Sequence, residues 1–247
     1  MEAAFATGVT SVNGLQKSTF LGFVAAFLVM AVSLPLRDAK AADCRADPAP
    51  EVDWSDCNKK NLMLGGNDFS GANFRDADLS YTDMRNTNLT AADLEKATLI
   101  RTWFTDARLD KANFERVEAY RVGFQNVSAQ GTSFASAELQ RAAFNGADLR
   151  YASFEKADVS RATFARAILS GASFAYANLS RADLSKASVQ GTLGFERAFM
   201  LLTRIEGLDL SGAKGLDQSQ IDIACGDADT KLPKGLTTPA SWPCPRD

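Results

Sequence analysis

From Leu64 to Val189 the chain places a large apolar residue at every fifth position, with few lapses, through 26 successive units. Leu64, Phe69, Phe74, Leu79, Met84, Leu89, Leu94, Leu99, Phe104, Leu109 and Phe114 open the series, and it runs on from Phe124 to Leu184. Two residues before each centre stands a small residue, most often alanine, as at Ala72, Ala77, Ala147, Ala157 and Ala177; the position between is often Asp or Asn. A period of five fits neither the helical nor the strand repeat, so neither element alone buries these residues together. A coil of square section does. If each unit forms one side and four units make a turn, every centre and its preceding alanine point inward, and equivalent sides recur every 20 residues. The sequence meets that test: Phe104, Phe124, Phe144 and Phe164 lie on one side, and Phe74, Phe114, Phe134, Phe154 and Phe174, interrupted by Leu94, lie opposite. The two intervening sides are mostly Leu, as at Leu89, Leu109, Leu149 and Leu169, and at Leu79, Leu99, Leu139 and Leu179. The pattern therefore predicts an all-β rod with a stacked interior. Where the centres shrink to Ala119 and Ala129, the preceding positions grow to Val117, Val122 and Val127, which predicts a filled core rather than a cavity.

This repeat resembles that of the pentapeptide-repeat family over residues 62–193, about half the chain. The resemblance implies a right-handed quadrilateral parallel β-helix, whose coils, stacked at about 4.8 Å, would make a rod of roughly 30 Å. After Val189 the pattern slips, with Phe199 in register and Ile205 and Leu210 one residue late. Residues 194–247, with Lys231-Leu232-Pro233-Lys234-Gly235-Leu236, resemble the terminal segment common in the family. There residues 217–224 are expected to form a short helix capped by Asp217 or Ser219, closing an apolar stack that would otherwise be open.

Ahead of the repeat, residues 20–36 are an uncharged apolar run preceded by Lys17 and followed by Ala39-Lys40-Ala41, which predicts a signal peptide over 1–41 and a periplasmic or secreted protein. Contact with a membrane is expected only through this segment if it stays uncleaved. The four cysteines lie outside the repeat, Cys44 and Cys57 before it and Cys225 and Cys244 after it. Three pairings are possible on paper. If the middle is a long rod its ends are far apart, which leaves Cys44 with Cys57 in a cap over 42–61 and Cys225 with Cys244 in the C-terminal cap.

Composition then narrows the chemistry. The chain has no histidine, which removes imidazole-dependent nucleophiles, histidine metal sites and the usual pH switch. No phosphate-binding glycine loop or nucleophile motif occurs. Asp227 and Asp229 do not make a full calcium loop, so no catalytic residue, metal or cofactor is expected. The outward positions hold one informative column: Tyr81, then Arg101, Arg121, Arg141, Arg161 and Arg181, one per coil. Glu118, Glu138 and Asp158, three residues before Arg121, Arg141 and Arg161, could neutralise it as a solvated charge network. Alternatively the arginines form a site for an extended anionic partner, an envelope polymer or an acidic protein face, widened by Lys96, Arg116 and Lys156. The expected role is thus an exported, non-enzymatic interaction or structural module, with pairing through a rod end open. The family also contains DNA mimics that bind gyrase. However, residues 62–193 carry 15 acidic and 15 basic side chains, whereas a duplex mimic needs dense negative charge.

Overall fold

The computed structural model describes residues 42–245; the segment read as a signal peptide lies outside them. The chain winds as a right-handed quadrilateral β-helix. Each side contributes one bridging residue, joined in parallel to its equivalent 20 positions on, as in Asp53 to Asn73, Asn73 to Asp93 and Asn113 to Ser133. The rungs show the repeating bond pattern: the N–H of Phe74 donates to the carbonyl of Asp93 at 2.7 Å, and the N–H of Asp93 donates back to Ala72 at 2.9 Å.

Most corners are β-turns closed from the centre to the next small residue. In one such turn the N–H of Ala72 donates to Phe69 at 3.0 Å, with Gly71 at φ +67°. The third residue of almost every turn has positive φ, glycine or not. That conformation aims its N–H along the rod, as where Gly71 donates to Thr90 in the next coil at 2.9 Å. The Asp and Asn preference before each centre has a local cause: the side chain accepts the N–H two residues on, as Asp68 does from Ser70, Asp78 from Ser80 and Asp183 from Ser185. Hydrogen bonds from the Ser70 backbone and hydroxyl hold the Asp68 carboxyl below the usual carboxylate range. Asn and Asp also alternate up one column. Asn73 donates to Asp53 and Asn113 to Asp93, each at 3.0 Å, so neighbouring carboxylates are kept apart.

Inside, the two phenylalanine columns stack face to face. Ring centroids are 5.0 Å apart for Phe124 and Phe144 and 5.1 Å for Phe144 and Phe164, with planes within 13°. Rings from opposite sides meet edge on, as do Phe144 and Phe154 at 5.5 Å and 88°. The rise of the coil sets the first spacing and the aromatic quadrupole favours the second. Inward threonines bury their hydroxyls without loss, Thr102 donating to Leu79 at 2.8 Å and Thr132 to Leu109 at 2.7 Å.

Val117, Ala119, Val122, Val127 and Ala129 are all buried, so the exchange of volume between the two inward positions keeps the wall closed. The Val127→Ala and Ala129→Leu changes should each destabilise by about 1–3 kcal/mol, the first by a void and the second by crowding, while the double variant recovers much of the loss. Urea unfolding of all four proteins measures this coupling, and additive losses would refute the exchange.

Both ends of the coil extend past the repeat boundaries expected from sequence. The coil starts ten residues before residue 62: Val52 and Cys57 take the small inward position, and Trp54 and Lys59 take the centre. Lys59 is inward because its ammonium donates to the Cys44 carbonyl at 2.8 Å and lies 3.4 Å from the centroid of the Trp54 ring. Burial lowers its pKa. The Cys44–Cys57 disulfide ties this end. At the other end the coil runs on through Lys214 and Lys231.

One extra residue is absorbed around Gly191, at φ +95°, so Ser173 pairs with Gly194, 21 positions on. Phe195, Met200, Ile205 and Leu210 are then the buried centres, and Phe199, expected inward, is instead 51% exposed. A six-residue helix, α1 (Gln218–Ile223), covers the last coils. Its N-cap is Asp217, which accepts from the Gln220 N–H at 3.0 Å, while Gln220 Oε1 accepts from the Asp217 N–H at 2.8 Å. The buried Gln220 amide also donates to the Phe195 and Ala198 carbonyls, docking α1 onto the coil. The second disulfide is Cys225–Cys244.

Candidate functional site

The interior is packed, so chemistry available to a partner lies on the corners and outward columns. Arg101, Arg121, Arg141, Arg161 and Arg181 all occupy one corner, at the third turn position, with φ of 55°, 57°, 60°, 57° and 57°. Each backbone is fixed by the following coil: Arg121 donates to Gln140 at 3.0 Å, Arg141 to Ser160 and Arg161 to Ser180 at 2.9 Å. The five side chains therefore stand exposed along one edge at the coil rise, about 4.8 Å apart. For an L-residue with a β-carbon this conformation costs about 1–2 kcal/mol, and glycine or asparagine is the low-cost choice. Other corners use that choice at Gly66, Gly71, Gly131, Gly146 and Gly171 but also hold Lys96, Lys111, Tyr151 and Arg166 in this conformation; from Arg101 to Arg181 the arginine corner is arginine throughout.

The charge environment differs from the sequence expectation. Among the described residues no carboxylate pairs with Arg101, Arg121, Arg141 or Arg161, and the guanidinium of Arg121 lies 5.2 Å from the centroid of the Tyr120 ring. Glu118 and Glu138 are exposed beyond the Tyr120 and Gln140 column and hold no ion pair among the described residues; Asp158 accepts from the Ser160 N–H at 2.9 Å. Elsewhere the rod does pair its cations, as in Arg75 with Asp93 at 2.9 Å, Arg116 with Glu95 at 2.8 Å and Arg150 with Asp148 at 2.5 Å. Adjacent guanidiniums at this spacing repel by about 1 kcal/mol in a water-like medium. Of the residues expected to widen the patch, Arg116 is held by Glu95 and Lys156 by Glu155 at 2.9 Å, and Lys96 shares their corner. Asp227 is committed within the fold, accepting from the Gly207 N–H of the preceding coil and from the Thr230 hydroxyl, and the Gly207 bond lowers its carboxyl pKa. Among the described residues no group of three or more metal-ligating side chains is gathered.

One surface departs from the spacing expected of the repeat. Phe199, Leu201 and Leu202 are 51%, 42% and 37% exposed, and they continue the outward columns of Asn178, Ser180 and Arg181. Taking Met200 rather than Phe199 as the centre restores the five-residue spacing from Phe195 onward and would have revealed it. A groove of about 420 Å³ runs beside Phe199, between Arg197 and Ile223.

Two family models place the repeat. The model for pentapeptide repeats (8 copies) matches residues 68–106, and that for the pentapeptide repeat region matches 97–174. The chain is a pentapeptide-repeat protein. Among solved structures, this pentapeptide-repeat chain is 20% identical to trypsin-treated QnrB1, a plasmid-mediated fluoroquinolone resistance protein, over 72% of its length and 90% of that chain, with a TM-score of 0.48. It is 23% identical to HetL, a pentapeptide repeat protein involved in heterocyst differentiation regulation from the cyanobacterium Nostoc sp. strain PCC 7120, over 77% and 91%, with a TM-score of 0.28. A pentapeptide repeat protein from the thylakoid lumen of Arabidopsis thaliana is 20% identical over 53% and 71%, with a TM-score of 0.19. No curated protein matches the chain.

Proposed function

We propose that this pentapeptide-repeat protein is an exported, non-catalytic interaction module that presents its arginine corner to an acidic partner. One observation carries the reading: arginine stands at five successive positions of one corner column, one coil apart, and Arg101, Arg121, Arg141 and Arg161 have no carboxylate partner among the described residues. Like charges stacked at the coil rise without an intramolecular counter-charge at Arg101, Arg121, Arg141 and Arg161 point to a use for the side chains outside the fold. The guanidinium fork suits carboxylate, phosphate or sulfate groups arrayed along an envelope polymer or an acidic protein face. Export is supported by the apolar segment at 20–36 and by the use of all four cysteines in disulfides. The balanced charge of residues 62–193 argues against a duplex mimic.

At low salt the protein should be retained on immobilised dextran sulfate and released as salt rises. The R121Q/R141Q/R161Q variant should lose most of that retention while keeping its circular dichroism spectrum. Unchanged retention would refute the arginine reading, and recovery of the full-length chain from cytosol would refute export.

A further inference from the structure

The same face carries a second set of residues that the fold does not favour. At the position before the centre, Asp and Asn cap the turn through the N–H two residues on, as Asp78 does for Ser80 and Asp158 for Ser160. Glu118 and Glu138, one methylene longer, occupy that position on two successive coils and make no such bond. They are exposed and stack at the coil rise with Asp158, through the bridges Glu118 to Glu138 and Glu138 to Asp158. Three residues on, across the Tyr120, Gln140 and Ser160 column, stand Arg121, Arg141 and Arg161, also stacked and, among the described residues, without carboxylate partners. Two parallel lines of opposite charge, each repelling itself, thus share one strip at one spacing.

We infer that the acidic partner of the arginine corner is a second copy of this chain, docked side by side and parallel; this rests on the reading of that corner as the binding edge. A two-fold axis along the rod, over the Tyr120, Gln140 and Ser160 column, sets each copy's Glu118, Glu138 and Asp158 column against the other's Arg121, Arg141 and Arg161 corner. Both copies have the same rise, so every rung is matched. Antiparallel docking on this strip is excluded by charge, because a two-fold axis across the rod sets acid on acid and arginine on arginine. The contact is isologous and closes at two copies.

The apolar residues exposed at the C-terminal end fall on the same strip. Phe199 continues the acidic column and Leu202 the arginine corner, with Leu201 between them. The same axis brings the Phe199 of each copy over the Leu202 of the other, covering an apolar cluster that a lone rod leaves in water. Charge sets the register along the middle, and the apolar end adds contact that salt does not screen.

Sedimentation velocity of the full chain at low salt should show a dimer that weakens as salt rises. R121E/R141E/R161E alone and E118R/E138R/D158R alone should each raise the dissociation constant by about a hundredfold or more, and an equimolar mixture of the two should recover a heterodimer. Recovery on mixing also shows that both variants are folded. A third variant, E118Q/E138Q/D158N, should lose the dimer and keep its retention on dextran sulfate. If it loses the dimer and wild type is never retained, the polyanion reading fails and the pairing stands. A chain that is monomeric throughout, a dimer indifferent to both reversals as expected of pairing through a rod end, or no recovery on mixing would overturn the inference.

Discussion

Replacing Phe144 with alanine is expected to lower the unfolding free energy by about 3–5 kcal/mol, with one of the two largest effects of any single disruption proposed for this protein. Phe144 is fully buried and in ring contact with four neighbours: Phe124 and Phe164 stack above and below at 5.0 and 5.1 Å, and Phe134 and Phe154 meet it edge on at 5.6 and 5.5 Å. The wall around it cannot move in to fill the space. Phe144 itself donates to Thr163 at 2.8 Å, and Ala143 donates to Val122 at 3.0 Å, so collapse would break rungs on both sides. The void therefore persists, and its cost adds to the lost transfer free energy. Each coil leans only on its neighbours, so the damage should also divide the rod into two units that melt apart, seen as a broadened or two-step urea transition. Lys111→Ser, on an exposed corner outside the arginine strip, should change stability by less than about 0.5 kcal/mol and serve as the control. A loss below about 1 kcal/mol at Phe144 would refute a close-packed aromatic stack.

The second large effect is expected at the N-terminal end. Removing the Cys44–Cys57 disulfide as C44S/C57S should cost about 2–4 kcal/mol, since it closes a loop of 13 residues in sequence and ties the first coil to the segment before it. More than chain entropy is involved. Cys57 fills an inward position, and the Cys44 carbonyl is the acceptor for the buried Lys59 ammonium. When the tether goes, Lys59 loses that acceptor, and the Trp54 ring loses the cation that covers it. The loss should be local: amide exchange should accelerate from Val52 to Leu64 and stay slow from Phe134 to Phe174. Uniform acceleration along the rod would show instead that the end nucleates the whole stack.

How much of this was legible in the sequence follows from the physics of the coil. The interior is periodic, so its columns of Phe144 and Leu149 could be placed from spacing alone. The same is true of α1, since Asp217 and Gln220 form a capping box. The ends were harder because they break the pattern for local reasons. Lys59 looks like a surface residue until Trp54 and Cys44 are seen to enclose it. The residue added near Gly191 shifts every later position, and Phe199 then passes for a centre although Met200 holds that place. At the arginine corner, a separation of three residues between Glu118 and Arg121 suggested pairing. On this coil those residues straddle a centre and a turn, and neither side chain reaches the other. The left-handed backbone at the corner is likewise invisible in a residue such as arginine, whose presence there runs against local preference.

The added residue near Gly191 also makes the rod a counting device. A side chain's face depends on its position modulo 20, so twenty residues gained or lost lengthen or shorten the rod by one full turn and leave every face in line. Five residues rotate everything downstream by a quarter turn. The one residue added near Gly191 does neither: because it sits in a loosened corner, it is discharged within one turn, and the columns ending in Phe199 and Leu202 stay collinear with those of Glu118 and Arg121. Surface pattern and chain length in this protein can therefore vary independently only in whole coils, and a change of any other size must be absorbed at a corner.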